Sequence, residues 1–447
     1  MLKHISHWLF PWPGHSKLGI RFLLIGLCVG VAIRAGMLWF IDYKFDLGDA
    51  VYYLNSAHNL LEYHIYSGDL NSNPVPDTFR PPMYSFFIAG VGWIFGNNPL
   101  YIHLVQMVVS IVTALLTTRM AAFFLPRSSP WVFGLMMLSP FEAVYTGAVL
   151  SETLTTFLLV AVAYVILTFD GLKRCVIGGI LLGLCALTRV IYLPLIILVA
   201  GFIITYRKQS QSYRFYEAAV LLLSACLVIF PWTLRNYNVS KQFIPISDGG
   251  LGLSLWLGTW ATDGSYSVSN PSTGKINTPP PEAFRNQKEQ YVAEDALNNL
   301  QITSKSKEGD KTLRTLAIQR IYDDPIAILK VYFIRSPRLW FGTRFDIFQL
   351  NAKYFQRYSS SYNIIKSVLW GFNTILIIFG IAGFIIMWNR RNNIMILALP
   401  VIYTVLIYFP LHSYEIRYSQ PVYPFLLVFA GVAAMNLTNK LKNRRPE

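Results

Sequence analysis

The sequence predicts an all-α polytopic membrane protein, and three observations support this fold class. Of the 447 residues, 54% are hydrophobic and only 14% are charged, whereas soluble domains contain about 25% charged residues. Apolar runs recur at roughly 20 residues, the length that an α-helix needs to cross the hydrocarbon core of a bilayer. Basic residues lie mostly at the ends of these runs, as they do at the cytoplasmic ends of membrane helices.

About ten apolar segments are predicted to be transmembrane helices. The first is too long for the core of a cleaved signal peptide and contains Arg21 and Arg34, so we expect it to be retained. The predicted spans are residues 18–41, 100–124, 131–150, 153–169, 175–187, 191–206, 218–233, 365–388, 395–410 and 421–437.

The segment 82–95 determines which side of the membrane each loop faces. It is apolar and aromatic but shorter than a span, and Pro81-Pro82 and Gly96-Asn97-Asn98 bound it. We therefore predict a re-entrant or interfacial segment. The clusters of Lys and Arg then share one side, which the positive-inside rule makes cytoplasmic. If 82–95 crossed the membrane instead, Asp49 and Glu152 would lie on opposite sides.

The opposite, non-cytoplasmic face then receives most of the unusual polar residues. It comprises the first outer loop (42–99), the turns at Glu152 and at Arg189, the long loop 237–363 and the short loop 412–419.

Three regions follow from this topology. They are an N-terminal transmembrane module that includes the first outer loop (1–236), a non-cytoplasmic cap (237–363), and C-terminal transmembrane helices with a basic cytoplasmic tail (364–447). Within the cap, spaced apolar residues predict an amphipathic helix over 311–330 and an interface-lying helix over 331–341. Gly249-Gly250 and Pro279-Pro280-Pro281 favour irregular structure in the first part of the cap.

The formal net charge of +15 does not indicate a nucleic-acid partner, because the basic residues are scattered instead of forming one stripe. Anionic membrane lipids and the positive-inside rule explain the charge better. The four cysteines fall inside apolar runs without paired spacing, so we predict that they pack in the core. They are Cys28, Cys175, Cys185 and Cys226.

Two carboxylates, Asp46 and Asp49, follow the first predicted span directly. Charged groups next to the apolar slab are costly and usually face a cavity or the aqueous boundary. A helix from Asp49 to Glu62 would bring Tyr52 and Tyr53 close to Asp49, whose carboxylate could then serve as a general base. The alternative is a solvated turn beside the membrane.

Glu152 lies in a tight turn between two predicted spans. An ionised carboxylate there is either paired or lines a cavity. Alternatively, Ser151 caps an ordinary helix start, where an acidic residue is favourable. Three further acidic residues could simply mark the outer side of the membrane; these are Asp42, Asp69 and Asp77.

Four arginines are predicted to share the same outer face: Arg80, Arg189, Arg235 and Arg417. A guanidinium group stays charged and can bind phosphate with two N–H groups. A single arginine at the end of a span is more commonly structural, because its side chain extends to the membrane interface. Four of them beside an acidic loop indicate a bound anion next to a general base, such as a phosphorylated lipid and an acceptor hydroxyl.

Short motifs in a fixed order resemble the GT-C superfamily of integral-membrane glycosyltransferases. The branch most similar contains lipid A aminoarabinose transferases and protein O-mannosyltransferases. The motifs are Gly48-Asp49-Ala50 with Tyr52-Tyr53, Phe79-Arg80-Pro81-Pro82-Met83-Tyr84, Ser151-Glu152-Thr153-Leu154, Leu187-Thr188-Arg189, Pro231-Trp232-Thr233-Leu234-Arg235-Asn236-Tyr237, Phe243-Ile244-Pro245-Ile246-Ser247, and Arg417-Tyr418 with Pro421 and Pro424.

The resemblance implies a GT-C fold with juxtamembrane helices in the first outer loop and a long outer loop near the C-terminal third. It implies that Asp49 is the catalytic acidic residue, that Glu152 is the acidic residue of the second outer turn, and that Arg80 and Arg189 replace basic residues of relatives. Ala50 departs from the Asp-Glu pair of protein O-mannosyltransferases, so a second carboxylate would come from Asp46 or Glu152. We expect no C-terminal soluble domain of the kind that some relatives have, so the acceptor could be a lipid, a glycan or a protein.

The expected function is transfer of a sugar from a polyprenyl-phosphate donor to an acceptor hydroxyl, in an inverting single displacement. Asp49 would be the base, and the four arginines would bind the donor phosphate. The substrate-binding residues would be Tyr52, Tyr53 and Tyr84. We expect that no cofactor is required, and whether a divalent metal takes part is left open. We expect a bacterial inner membrane, with the site facing the periplasm or the cell exterior. A flippase of polyprenyl-linked lipids, or a non-catalytic assembly subunit, are the alternatives.

Overall fold

The computed structural model describes residues 9, 16–43, 48–206, 210–260, 307–323, 325–345, 348–350, 360–389, 394–411 and 416–442. Helices dominate these ranges. The N-terminal helices are α1 (Ser16–Phe40), α2 (Gly48–Glu62), α3 (Met83–Phe95), α4 (Pro99–Phe124), α5 (Ser129–Leu138), α6 (Pro140–Val144), α7 (Glu152–Thr168), α8 (Gly171–Thr188), α9 (Leu193–Tyr206) and α10 (Gln211–Ser240). The C-terminal helices are α11 (Leu251–Trp260), α12 (Lys307–Asp323), α13 (Pro325–Arg335), α14 (Ser360–Asn389), α15 (Met395–Tyr408) and α16 (Tyr423–Lys442).

Short connecting elements bring distant loops of the chain together. Strand β1 (Ile41–Asp42) pairs antiparallel with β2 (Gln349–Leu350), with Ile41 opposite Leu350. The exit of α1 and the end of the long loop therefore meet. Single 3₁₀ turns also connect the helices; they are Pro126–Ser128, Tyr145–Gly147, Val190–Tyr192, Ser336–Leu339 and Ile416–Val422.

The lengths and composition of the helices confirm an integral membrane protein. Within the described ranges, six helices are long and apolar enough to cross a membrane: Gly19–Phe40, Pro99–Phe124, Gly171–Thr188, Gln211–Ser240, Ser360–Asn389 and Ile416–Leu441. Four apolar helices are shorter: Met83–Phe95, Glu152–Thr168, Val190–Thr205 and Met395–Tyr408. The count of ten spans and the side that each loop faces stay predictions.

The predicted span 131–150 is wrong as a continuous helix. Helix α5 ends at Leu138, and Ser139 is extended, with φ −65° and ψ 115°. The residue before a proline is sterically disfavoured in the helical conformation, and Pro140 then starts the five-residue helix α6. The chain continues as a 3₁₀ turn at Tyr145–Gly147. The apolar run is therefore a broken, buried segment.

Helix α3 coincides with the segment predicted to be interfacial. It has 13 residues, which is about 20 Å of helix against about 30 Å of hydrocarbon core. Its C-terminal turn exposes Trp93, Ile94 and Phe95. These features agree with a segment that does not span the membrane by itself.

Two helix pairs form close contacts through glycines. Helix α8 packs against α10, where a Cβ on Gly179 would lie 2.4 Å from the carbonyl oxygen of Leu221. Helix α14 packs against α16, where a Cβ on Gly383 would lie 1.8 Å from the carbonyl oxygen of Phe429. Small residues allow membrane helices to approach closely enough for extensive van der Waals contact. Among the cysteines, which are all free, Cys175 and Cys185 are buried as predicted, whereas Cys28 and Cys226 are exposed.

The cap differs in part from the prediction. Helices α12 and α13 confirm helical structure between 311 and 335, but α11 lies where irregular structure was expected. Helix α11 packs on α12, and the Asp310 carboxylate accepts the backbone N–H groups of Gly250, Gly252 and Leu253 at 3.0–3.2 Å. A long-range carboxylate thus caps a helix whose own sequence predicts no start. Pro279-Pro280-Pro281 lies outside the described residues.

Candidate active site

Helix α2 places Asp49 between two arginines. Its first turn contains Asp49, and the carboxylate contacts Arg80 Nη2 at 2.6 Å and Arg417 Nη2 at 3.4 Å. These arginines come from the first outer loop and from the 3₁₀ turn Ile416–Val422, so three distant parts of the chain meet here. The Asp49 side chain is 21% exposed. This geometry contradicts a fully solvated turn.

The charges around Asp49 favour its ionised form. Burial by itself would raise the pKa of the Asp49 carboxyl, but the guanidinium groups of Arg80, Arg417 and Arg189 outweigh burial and lower this pKa below its ordinary value. Burial is also the main cause of a raised pKa at Tyr53, and Asp49 adds to it. Tyr53 is therefore a neutral hydroxyl beside a carboxylate.

Glu152 forms the second ion pair of the site. Its side chain is 2% exposed, and Oε1 accepts from Arg189 Nη1 at 3.0 Å. Ser151 makes no side-chain hydrogen bond to the helix start, so pairing, and not capping by Ser151, describes this turn. Arg189 Nη2 also donates to the Tyr408 hydroxyl at 3.3 Å.

Tyr418 joins the two ion pairs into one site. The guanidinium carbon of Arg189 lies 5.5 Å from the centre of its ring, and that of Arg417 lies 5.0 Å away. The ring also stacks on Tyr408 at 4.8 Å, with an angle of 9° between the planes. An aromatic face attracts cations, so Tyr418 holds the two arginines close together despite their like charge.

Arg235 lies in a separate cluster of contacts. It donates to the backbone oxygens of Tyr66 and Asp77, and its guanidinium carbon lies 4.8 Å from the centre of the Trp232 ring. The Asp77 carboxylate accepts from the Tyr52 hydroxyl and from the backbone of Gly68 and Phe79. These contacts brace the loop that leads to Arg80, and none of the hydrogen bonds or ion pairs described for Arg235, Tyr52 and Asp77 reaches the Asp49 carboxylate.

The remaining predicted residues are placed as follows. Tyr84 is fully buried and donates to Gln106 Oε1 at 2.9 Å, so it belongs to the core beneath the site. Tyr53 packs edge-on against Tyr84, with the ring centres 4.9 Å apart. Asp46 lies outside the described residues.

Sequence reasoning missed Tyr408 and Tyr418. Tyr418 follows Arg417 directly in the sequence motif, so its position next to a predicted site residue could have indicated it. Tyr408 is the last residue of the apolar helix α15, and a tyrosine in this position is also common at membrane interfaces.

Among the described residues, no group of three or more His, Cys, Asp and Glu side chains could hold a metal ion. The site instead combines two carboxylates with three guanidinium groups, so it has an excess of positive charge. The buried polar atoms of this region that lack a hydrogen-bond partner among the described residues include Arg80 Nε and the Tyr192 hydroxyl. Buried donors of this kind are uncommon in folded proteins.

Comparison with known proteins gives two solved structures. No family model and no curated protein sequence matches the chain. The two structures are ArnT from Cupriavidus metallidurans in the apo state, with 13% identity over 95% of this chain and 80% of that chain, and the same protein bound to undecaprenyl phosphate, with 14% identity over 94% and 79%. Both have a TM-score of 0.41.

Proposed function

We propose that this protein is a membrane glycosyltransferase that moves a sugar from a polyprenyl-phosphate donor to an acceptor hydroxyl. The observation that carries the proposal is the Asp49 carboxylate held between Arg80 and Arg417. The candidate base thus contacts two guanidinium groups, which are side chains suited to binding a phosphate. The Nε of Arg80, which is buried and has no hydrogen-bond partner among the described residues, is a further candidate donor for a phosphate oxygen.

The chemistry follows from these groups. The acceptor oxygen attacks the anomeric carbon and loses its proton to Asp49, while the bond from that carbon to the phosphate oxygen breaks. The electron pair of this bond leaves with the phosphate, whose added negative charge is stabilised by Arg80, Arg417 and Arg189. A single displacement of this kind inverts the anomeric centre. Glu152, held by Arg189, orients that guanidinium group. Asp46 stays a candidate second carboxylate that would orient the base, the acceptor or a divalent metal.

Asp49 becomes an effective base only after its arginines change partners. A carboxylate paired with two guanidinium groups has a low pKa and accepts a proton poorly. The donor phosphate competes for the same N–H groups of Arg80 and Arg417 and displaces Asp49 from them. Burial, which is the largest single influence on Asp49, then raises its pKa. Donor binding thus switches on the base.

The test compares purified wild-type and Asp49→Asn proteins in nanodiscs. Each is incubated with radiolabelled polyprenyl-phosphate sugars and a membrane extract. We expect wild type to move label into a new product and Asp49→Asn to lose this activity. Asp69→Asn is the matched control, because Asp69 is an exposed acidic residue of the same loop that bonds only to Asn71 among its described side-chain contacts; it should retain activity. Equal transfer by wild type and Asp49→Asn would remove Asp49 as the base.

A flippase of polyprenyl-linked lipids is the alternative, because the arginines alone would suit it. It predicts transbilayer movement of the lipid by both wild type and Asp49→Asn, with no new glycosylated product from either.

A further inference from the structure

The 3₁₀ turn Ile416–Val422 carries two groups of the candidate site, Arg417 and Tyr418. Two polar side chains of the same turn, Ser419 and Gln420, are buried, with exposures of 0% and 1%. Their contacts fix the position of the turn. Ser419 Oγ donates to the backbone oxygen of Leu339 at 2.6 Å, which connects the turn to the end of the cap.

Arg344 contacts both of these side chains. Its Nη2 donates to Ser419 Oγ and its Nη1 donates to Gln420 Oε1, each at 3.1 Å. Its Nε donates to Asn373 Oδ1 of α14 at 2.9 Å. The side chain is fully buried, so one guanidinium group joins the cap, α14 and the turn that carries Arg417.

The surroundings of Arg344 hold its fork in one orientation. The guanidinium carbon lies 3.9 Å from the centre of the Tyr423 ring, and the Tyr423 hydroxyl donates to Asn373 Oδ1 at 3.1 Å. Gln420, which accepts from Arg344, in turn donates through Nε2 to Glu142 Oε1 at 2.8 Å. These described partners connect the cation to a buried carboxylate through a neutral amide, which reduces the cost of burying the charge.

The backbone of Arg344 is also unusual. Its φ of 56° lies in the left-handed region, which residues other than glycine seldom adopt. Such conformations persist where surrounding contacts over-determine them, and they are concentrated at functional sites. The three side-chain hydrogen bonds and the Tyr423 ring are contacts of this kind.

We propose that Arg344 is a positioning residue of the anion site, which holds the turn Ile416–Val422 so that Arg417 reaches the donor phosphate and Tyr418 stays between Arg417 and Arg189. The identity of the anion rests on the proposed function, whereas the role of Arg344 in fixing the turn does not. Lysine cannot replace it, because an ammonium group lacks the planar fork that meets three acceptors at fixed angles.

The test compares Arg344→Lys with Arg34→Lys, which is matched in chemistry and burial. Arg34 is 1% exposed and donates to Ser110 Oγ and to backbone oxygens of Gly30, Met136 and Met137. Both variants keep a buried cation and both should lose thermal stability. We expect only Arg344→Lys to bind undecaprenyl phosphate more weakly, by roughly tenfold, which corresponds to one weakened charged contact.

Two further measurements separate positioning from general instability. Backbone hydrogen exchange of residues 416–422 should accelerate in Arg344→Lys and stay at the wild-type rate in Arg34→Lys. If transfer is detected, Arg344→Lys should raise the KM for the donor more than it lowers kcat. Should Arg344→Lys fail to fold, Ser419→Ala removes one acceptor of the same fork and takes its place, with a smaller loss of affinity.

The outcomes distinguish the two proposals. Wild-type affinity and wild-type exchange in Arg344→Lys would overturn the positioning role, as would equal losses of affinity in Arg344→Lys and Arg34→Lys. If wild type itself does not bind undecaprenyl phosphate, the proposed function fails, and hydrogen exchange alone then decides the role of Arg344.

Discussion

Asp49 occupies the guanidinium groups that we assign to the donor phosphate. Because two anions then compete for Arg80 and Arg417, Asp49→Asn should bind undecaprenyl phosphate more tightly than wild type while losing transfer. Removing the competitor is expected to increase affinity about tenfold, or about 1.4 kcal/mol. Titration of wild type, Asp49→Asn and the control Asp69→Asn in nanodiscs measures this. Weaker binding by Asp49→Asn would instead make Asp49 a direct ligand of the donor.

The same competition predicts a pH dependence. In the free protein the arginines lower the pKa of Asp49 below its ordinary value, so Asp49 stays ionised far into the acid range. With phosphate on the arginines, its pKa rises, and the active, deprotonated form is lost at a higher pH. The acid limb of kcat should therefore lie at higher pH than that of kcat/KM for the donor. If the acid limbs of kcat and kcat/KM coincided, the proposed exchange of Asp49 for phosphate on the arginines would be contradicted.

At this scale the sequence identified the charged residues but not their pairing. The predicted topology alone put five of the charged residues on one face: Asp49, Glu152, Arg80, Arg189 and Arg417. Which arginine meets which carboxylate depends on how the loops fold back, so Arg235 could not be separated from the others. Arg344 carried no visible signal, because an arginine near aromatic residues at a membrane boundary usually has a simpler structural role.

At the scale of elements, the contact of α14 with α16 depends on the absence of a side chain at Gly383. Gly383→Ala should destabilise the protein by about 1–3 kcal/mol, the usual cost of overpacking, because the new Cβ would meet the backbone of Phe429. Gly371→Ala in the same helix is the matched control. A Cβ there meets nothing within 4 Å, and alanine should stabilise the helix by up to about 1 kcal/mol.

Thermal unfolding of the two variants in detergent measures these effects. An unchanged midpoint in Gly383→Ala would show that α14 and α16 can separate without cost.

Hydropathy identified most helices, since long apolar runs are the strongest signal in a membrane protein. It failed where local chemistry overrides composition. In 131–150, the Ser139-Pro140 pair ends a helix inside an apolar run. Helix α11 starts at residues that favour a loop, because Asp310 caps it from far along the sequence. A long-range cap cannot be found in a local pattern.

For the whole molecule, the candidate site has more guanidinium groups than carboxylates among its described residues. An excess of positive charge suits a phosphate without help from a cation. We therefore predict that transfer persists in EDTA, at close to the untreated rate. Assays with EDTA, and with EDTA followed by Mg²⁺ or Mn²⁺, measure this. Loss of activity in EDTA with recovery on adding a metal would show that a divalent ion is required.

Two short helices end at this site, and their length bears on the depth of the site in a bilayer. Glu152 starts α7, which has 17 residues, and Tyr408 ends α15, which has 14 residues. At 1.5 Å per residue they are about 26 Å and 21 Å long, less than the roughly 30 Å of hydrocarbon in a bilayer. If the far end of each helix lies at one hydrocarbon boundary, its end at Glu152 or Tyr408 lies roughly 4–9 Å below the opposite boundary. A lipid-linked donor of the proposed kind would then reach the arginines by lateral diffusion within its own leaflet.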